Sequence, residues 1–223
     1  MAKFVLAPIL TRIFSKCINE GFYLECLKVT EFIPTYKSGE QNICSNYRPI
    51  SILLQCNKIF ERILYDRVYF HLKEYKLLSK YQFGFRPRSS PSYAVESFYS
   101  NLLSNADNAL YSCSIFLDLS KAFDMINHNI LFDKFYHNFG IRGIPLQLFR
   151  SCLSNHKQFV KLENVQSGLV DISNGMPQGS VLEPLLFIMH INGLPEFSAF
   201  HTYYMLMILI FFYLRKILTI CSR

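Results

Sequence analysis

This 223-residue chain predicts a mixed α+β fold, and three observations carry that reading. Apolar residues recur at helical spacing through the first half, most persistently over residues 50–78. Residues 111–119 form a short apolar run of the kind found in buried strands. Two β-like runs flank a turn in "KQFVKLENVQSGLVDIS". The composition supports a packed chain: 51% is hydrophobic, with 21 Phe and 14 Tyr but no Trp, which excludes disorder by composition. The length allows one large domain or two small ones.

In chain order, residues 6–28 read as a helix broken around Gly21. "VTEFIPTYKSGEQ" is a short β-like run followed by a Lys-Ser-Gly turn. "ISILLQCNKIFERILYDRVYFHLKEYKLL" reads as one long amphipathic helix. "QFGFRPRSSPS" is a Gly/Pro/Ser/Arg loop, and "AVESFYSNLLSNADN" is helical again. After the strand at 111–119, Ser120 is a plausible N-cap for a helix from Lys121 to Gly140. "GMPQGSVLEPLLFIMHINGL" is a glycine-bearing turn that opens a helix. There are no repeats and no low-complexity linkers.

The formal net charge of +7 points to a polyanionic partner, nucleic acid or an acidic membrane surface. Seven scattered cysteines without a C-x-x-C argue against a zinc site or a disulfide framework, and for a reducing, intracellular compartment, cytoplasm or nucleus. The start "MAKFVLAPILTRIF" has no cleavage-type segment and is shorter than the roughly 20 residues of a spanning helix.

Candidate chemistry lies in three places. In "FLDLSKAFD", a charged Asp118 inside an apolar strand either sits exposed at the strand's end or ligates a cation. Asp124, in the first turn of the following helix, is accounted for by the helix dipole. "GMPQGS" is a tight turn whose glycines let a backbone approach a ligand, with Gln178 able to hydrogen-bond a base or sugar. Lys37, Arg48, Arg86 and Arg88 stand in loops, where basic residues usually face solvent; Arg is also the type suited to bidentate phosphate contacts.

Taken together, the blocks "APILTRIFSKCINEGFYLECLKVTEFIPTYKSG", "NYRPISILLQCNKIFERIL", "LLSKYQFGFRPRSS", "FLDLSKAFDMINHNIL", "GIRGIPLQLFRSCLSNHKQFV" and "NGMPQGSVLEPLLFIMHINGLP" carry a resemblance. In order and spacing, from about Ala7 to Leu194, the chain resembles the reverse transcriptase of non-LTR retrotransposons, the jockey-like and LINE-type elements. The resemblance implies a right-hand polymerase with fingers over 1–110 and a partial palm over 111–199, the reverse transcriptase domain spanning about 30–199 and the thumb absent. It implies Asp118 as the first of three carboxylates for two Mg²⁺ ions. Phe123 matches the aromatic residue that blocks a ribose 2′-hydroxyl. Gln178 and Gly179 match the turn touching nucleotide and template. Arg86, with Lys37 and Arg48, falls in segments approaching triphosphate or template. The implied partners are an RNA template, a DNA primer and dNTPs. The chain also starts inside the fingers, so the resemblance implies that upstream parts of such an element, including an endonuclease, are missing.

Three departures stand out. The family usually has Gly where this chain has Glu183. Arg88-Ser89-Ser90-Pro91 replaces the usual Gly-Arg-Ser-Thr, which displaces an arginine. After "INGLP" no Asp follows, although the family places a strand–turn–strand with Tyr/Phe-Ala-Asp-Asp there. The apolar run Tyr203–Leu214 stands in its place. Tyr-Ala-Asp-Asp-Thr-Asn-Ile-Phe-Phe written as TAT GCT GAT GAT ACT AAT ATT TTT TTT and read one base later gives "MLMILIFF", residues 205–212. Residues 200–223 therefore read as an out-of-frame tail after a frameshift between about Leu194 and His201. Three readings follow: a truncated, frameshifted and catalytically inactive reverse transcriptase, a non-catalytic nucleic-acid-binding remnant, or a membrane-tethered protein. No stable membrane partner is expected, because the apolar run falls short of a span.

Overall fold

The computed structural model describes residues 2–87, 89–119, 122–162, 165–172, 174–176, 179–193, 201–205 and 208–216, the last two segments as backbone only. The chain divides into two compact units, residues 1–75 with 123–187, and residues 76–122 with 188–223.

The first unit begins with helix α1 (Ala2–Glu20), which ends where Gly21 turns into the left-handed region at φ 73°. Strand β1 (Val29–Tyr36) pairs antiparallel with β2 (Tyr47–Ile52). Between them, Gly39 adopts φ 96°, a left-handed position that favours glycine, with the Asn46 side-chain Nδ2 packed 2.6 Å from where a Cβ would lie. Helix α2 (Gln55–Glu74) carries Phe60, Leu64, Val68 and Leu72 on its buried face. The long helix expected over 50–78 is thus shortened. Residues 50–52 are strand because β1 offers them a hydrogen-bonding partner, and Ser51 turns inward while Ile50 and Ile52 face out.

Helix α4 (His128–His137) starts at Asn127, whose Oδ1 accepts hydrogen bonds from the Asn129 and Ile130 amides. The expected start at Lys121, capped by Ser120, falls on residues outside those described. Residues 122–125 form a turn, so Asp124 is an exposed turn residue and not a first-turn helix residue. Helix α5 (Gly143–Leu153) leads into β4 (His156–Leu162), which lies parallel to β1 and pairs antiparallel with β5 (Val165–Gln166) and β6 (Val170–Ile172). The resulting sheet runs β2-β1-β4-β5, with β6 on β4. Its core is aromatic: Phe60 stacks on Phe14 at 4.5 Å and on Tyr23 at 5.0 Å, and Phe135 meets Phe149 edge-on at 5.1 Å.

In the second unit, helix α3 (Pro91–Asp107) precedes strand β3 (Leu110–Asp118). The unit's sheet has three antiparallel strands in the order β3-β8-β7, where β7 is His201–Met205 and β8 is Ile208–Lys216. Phe116 on β3 meets Phe98 of α3 edge-on at 5.9 Å. Most of β3 is exposed, contrary to the buried strand expected, with Tyr111, Ile115 and Phe116 more than half accessible. Helix α6 (Glu183–Ile191) runs through the boundary between the units. No helix among the described residues is long and apolar enough to cross a membrane, and the described part of 203–214 is strand.

Candidate functional site

Asp118 is the last residue of β3 and is exposed, the first of the two situations its sequence allowed. Strand β8 runs antiparallel to the whole of β3, from Leu110 opposite Lys216 to Asp118 opposite Ile208. Strand β7 ends with Met205 opposite the same Ile208. Backbone pairing therefore brings the ends of three strands to one place, and the residues joining β7 to β8 are Leu206 and Met207. A strand–turn–strand hairpin thus meets Asp118, but no Asp or Glu occurs from His201 to Arg223. Among the described residues, no group of three or more His, Cys, Asp or Glu could hold a metal. One carboxylate does not fit a two-metal site, whose ions need bridging oxygens from several.

The glycine-bearing turn is built in the first unit. Gly175 adopts φ 74°, and a Cβ there would lie 2.8 Å from the Asp124 Cα and 2.9 Å from the Phe123 carbonyl oxygen. The Gly175 amide donates to the Ile126 carbonyl at 2.9 Å, and the His128 ring Nε2–H donates to the Gly175 carbonyl at 2.7 Å. Gly175 and Phe123 are thus locked backbone to backbone. The Phe123 ring, half-buried, meets Phe187 edge-on at 5.0 Å. Gln178 lies outside the described residues. Gly179, exposed, adopts φ 102°, which only glycine tolerates without strain.

Two buried carboxyls hold this turn, and of these Glu61 has no place in the sequence-based reading of it. Glu61, on α2, accepts hydrogen bonds from the Val181 amide at 2.7 Å and the Ser180 hydroxyl at 2.9 Å. Behind it, the Asn57 side-chain amide donates to Glu61 at 3.2 Å, and the Tyr23 hydroxyl donates to Asn57. Burial pushes the Glu61 carboxyl above its ordinary range, against the opposing pull of these hydrogen bonds. Glu183 accepts a hydrogen bond from the Gly179 amide at 3.0 Å, and its carboxyl is pushed up to about 7, chiefly by burial. Glu183, which stands where the resembled family usually has Gly, is therefore buried against the turn. Glu61 gave one sequence signal, a Glu in the buried stripe of "NKIFERIL", but its partners lie some 120 residues away.

The basic residues divide. Lys37 and Arg48 are exposed on the β1–β2 hairpin, whose tip is fixed by the Lys37 amide donating to Asn46 at 2.8 Å and by a Tyr36–Tyr47 edge contact at 5.6 Å. Arg86 is half-buried and donates through Nη1 to the carbonyls of Ser79 at 2.9 Å and Gln82 at 3.3 Å, stapling its own loop. Arg88 lies outside the described residues. A cleft of about 810 Å³ in the first unit, lined by Glu25, His128, Asn129, Lys157, Asp171 and Asn174 among others, contains none of the predicted site residues.

Among solved structures, the fold is similar to that of telomerase. It matches apo telomerase from Candida tropicalis lacking its C-terminal domain with a TM-score of 0.61 at 13% identity, over 84% of this chain and 44% of that one. Telomerase from the same organism in complex with a fragment of telomeric RNA gives a TM-score of 0.56 at 11% identity, over 93% and 40%. The family model described as reverse transcriptase (RNA-dependent DNA polymerase) matches residues 35–214, and the chain belongs to that family. It is 30% identical over 190 residues to the RNA-directed DNA polymerase from mobile element jockey of Drosophila melanogaster, covering 83% of this chain and 20% of the relative. The counterpart from Drosophila funebris is 28% identical over 192 residues, 85% and 21%. The chain spans about a fifth of the length of these curated relatives.

Proposed function

We propose that this chain is the reverse transcriptase domain of a non-LTR mobile element whose family reaction, RNA-templated addition of dNTPs to a DNA primer, this copy no longer performs. The observation that carries the reading is the hairpin opposite Asp118, which joins through Leu206 and Met207 where carboxylates are required. In this reading residues 1–110 are fingers-like, 111–199 are partial palm, and 200–223 are out-of-frame translation. Phe123, Gln178 and Gly179 belong to the nucleotide contact, and Lys37, Arg48 and Arg86 to the approach of triphosphate and template. Mg²⁺ would supply charge neutralisation in the family reaction, and Asp118 is the residue here suited to it. The Arg86 bonds to its own loop support a positioning part more than a phosphate contact. Primer extension on a poly(rA)/oligo(dT) template with Mg²⁺ tests the reading. No incorporation above background is expected, and incorporation abolished by Asp118→Ala would overturn it. The nucleotide sequence tests the frameshift: some other frame across codons 203–212 must encode Ala-Asp-Asp.

A second reading rests on the net charge of +7 and the exposed Lys37 and Arg48: the domain still holds nucleic acid, electrostatically. Binding of an RNA–DNA hybrid should then weaken steeply with salt, and a flat response would count against it.

A further inference from the structure

We propose that Glu183 is a built-in competitor for nucleic acid at the Gly179 turn, its carboxylate holding the backbone N–H that the turn would otherwise offer to an oxygen of a nucleotide or template. The inference rests on the reading of Gly179 as part of the nucleotide contact. Four observations carry it. Gly179 is exposed and left-handed, and its amide is spent on Glu183 Oε2 at 3.0 Å. Glu183 itself is 6% exposed, so this is no incidental surface contact. Its second oxygen, Oε1, is buried without a hydrogen-bond partner among the described residues, so the carboxyl is held by one bond and poorly compensated. The ionisable groups acting on it are both acidic, Asp124 of the 122–125 turn and Glu61 of α2, so no cation among them neutralises it.

The consequence is directional. An incoming phosphate or ribose oxygen meets a negative charge on the donor it needs, and must displace a carboxylate to form its own bond. Protonation removes that charge and leaves the weaker acceptor of a neutral acid. Burial raises the carboxyl to about 7, so the change falls within an accessible pH range. Above that range the competitor is anionic and engaged; below it the turn becomes available.

Fluorescence anisotropy with a fluorescein-labelled RNA–DNA hybrid hairpin, at fixed ionic strength, tests this on the full chain. The native chain should bind about tenfold more weakly at pH 8 than at pH 6, beyond the change shown by Glu183→Gln, which shares every histidine. Glu183→Gln and Glu183→Gly should both bind at pH 8 as the native chain does at pH 6. In ¹⁵N-labelled protein the Gly179 amide resonance should titrate near pH 7 in the native chain and stay put in Glu183→Gln. Equal pH dependence in native and Glu183→Gln chains, with binding intact, would overturn the competitor while leaving the nucleic-acid reading in place. Absence of hybrid binding by all three chains at every pH would overturn the nucleic-acid reading itself.

Discussion

The Gly175–Glu183 turn and the β3-β8-β7 sheet are held together by different kinds of bond. The turn rests on side chains and special backbone: glycines at φ 74° and 102°, and two buried carboxyls accepting hydrogen bonds from backbone amides. The sheet keeps its geometry: nine residues of β3 paired in register with β8, and a hairpin return through β7. Asp118 is the one carboxylate on its three strands. The difference lies in what each structure depends on. A β-ladder is held by main-chain hydrogen bonds and accepts any β-prone run, and the Ile-, Leu- and Phe-rich segment 208–216 is one. A polar turn depends on particular side chains at particular atoms. Loss of chemistry in a strand therefore leaves fewer structural traces than loss in a turn.

The largest expected effect comes from adding carboxylates to the sheet. Leu206→Asp together with Met207→Asp should create a divalent-cation site against Asp118, read as Tb³⁺ luminescence absent from the native chain. Adding Asp118→Ala should abolish the signal. Luminescence that survives Asp118→Ala would show that the hairpin does not present its joining residues to the end of β3.

Breaking the turn comes next. Glu61→Ala strands the Val181 amide, the Ser180 hydroxyl and the Asn57 amide in a buried place, so about 3–5 kcal/mol should be lost in urea unfolding. A loss within 1 kcal/mol would mean that water replaces the carboxylate at little cost.

Legibility in the sequence followed the same division. Helix α2 could be read from periodicity, because local pattern and tertiary burial agree there, whereas the apolar run ending at Asp118 revealed a strand but not that most of it is exposed. Residues 50–52 could not, since apolar residues suit either state and only pairing with the distant β1 decides. The start of α4 was misplaced because Asn127 caps more effectively than the sequence pattern reveals: its side chain accepts two amides at once. At the site, Asp118, Phe123 and Gly179 stand in recognisable motifs, whereas Glu61 looks like any polar residue on a helix. Its role appears only when a loop some 120 residues later arrives with donors.

A smaller effect separates the two carboxyls by pH. Glu183 binds its proton more tightly folded than unfolded, so between pH about 4.5 and about 7 the folded state carries more protons. Stability therefore falls as pH rises through that window and levels off above it, by up to about 3 kcal/mol. Glu183→Gln should show a flatter profile from pH 5 to 8 and exceed the native chain at pH 8. A native profile that rises with pH would contradict the direction assigned to this group.

The smallest effect concerns how the turn holds Phe123. Gly175→Ala forces a methyl to within 2.8 Å of the Asp124 Cα and places alanine at φ 74°, so backbone must move and not merely a side chain. A loss of about 1–3 kcal/mol is expected. The more informative readout is the Phe123 ring, 5.0 Å from Phe187 and directly coupled to the displaced backbone. Aromatic ¹³C–¹H shifts of Phe123 and Phe187 should change together in Gly175→Ala, while those of Phe14 and Phe60, stacked elsewhere in the same unit, stay fixed. Shifts spread evenly over both pairs would mean that the strain relaxes through the whole core, and that Gly175 sets the spacing of the turn without specifically placing the ring beside it.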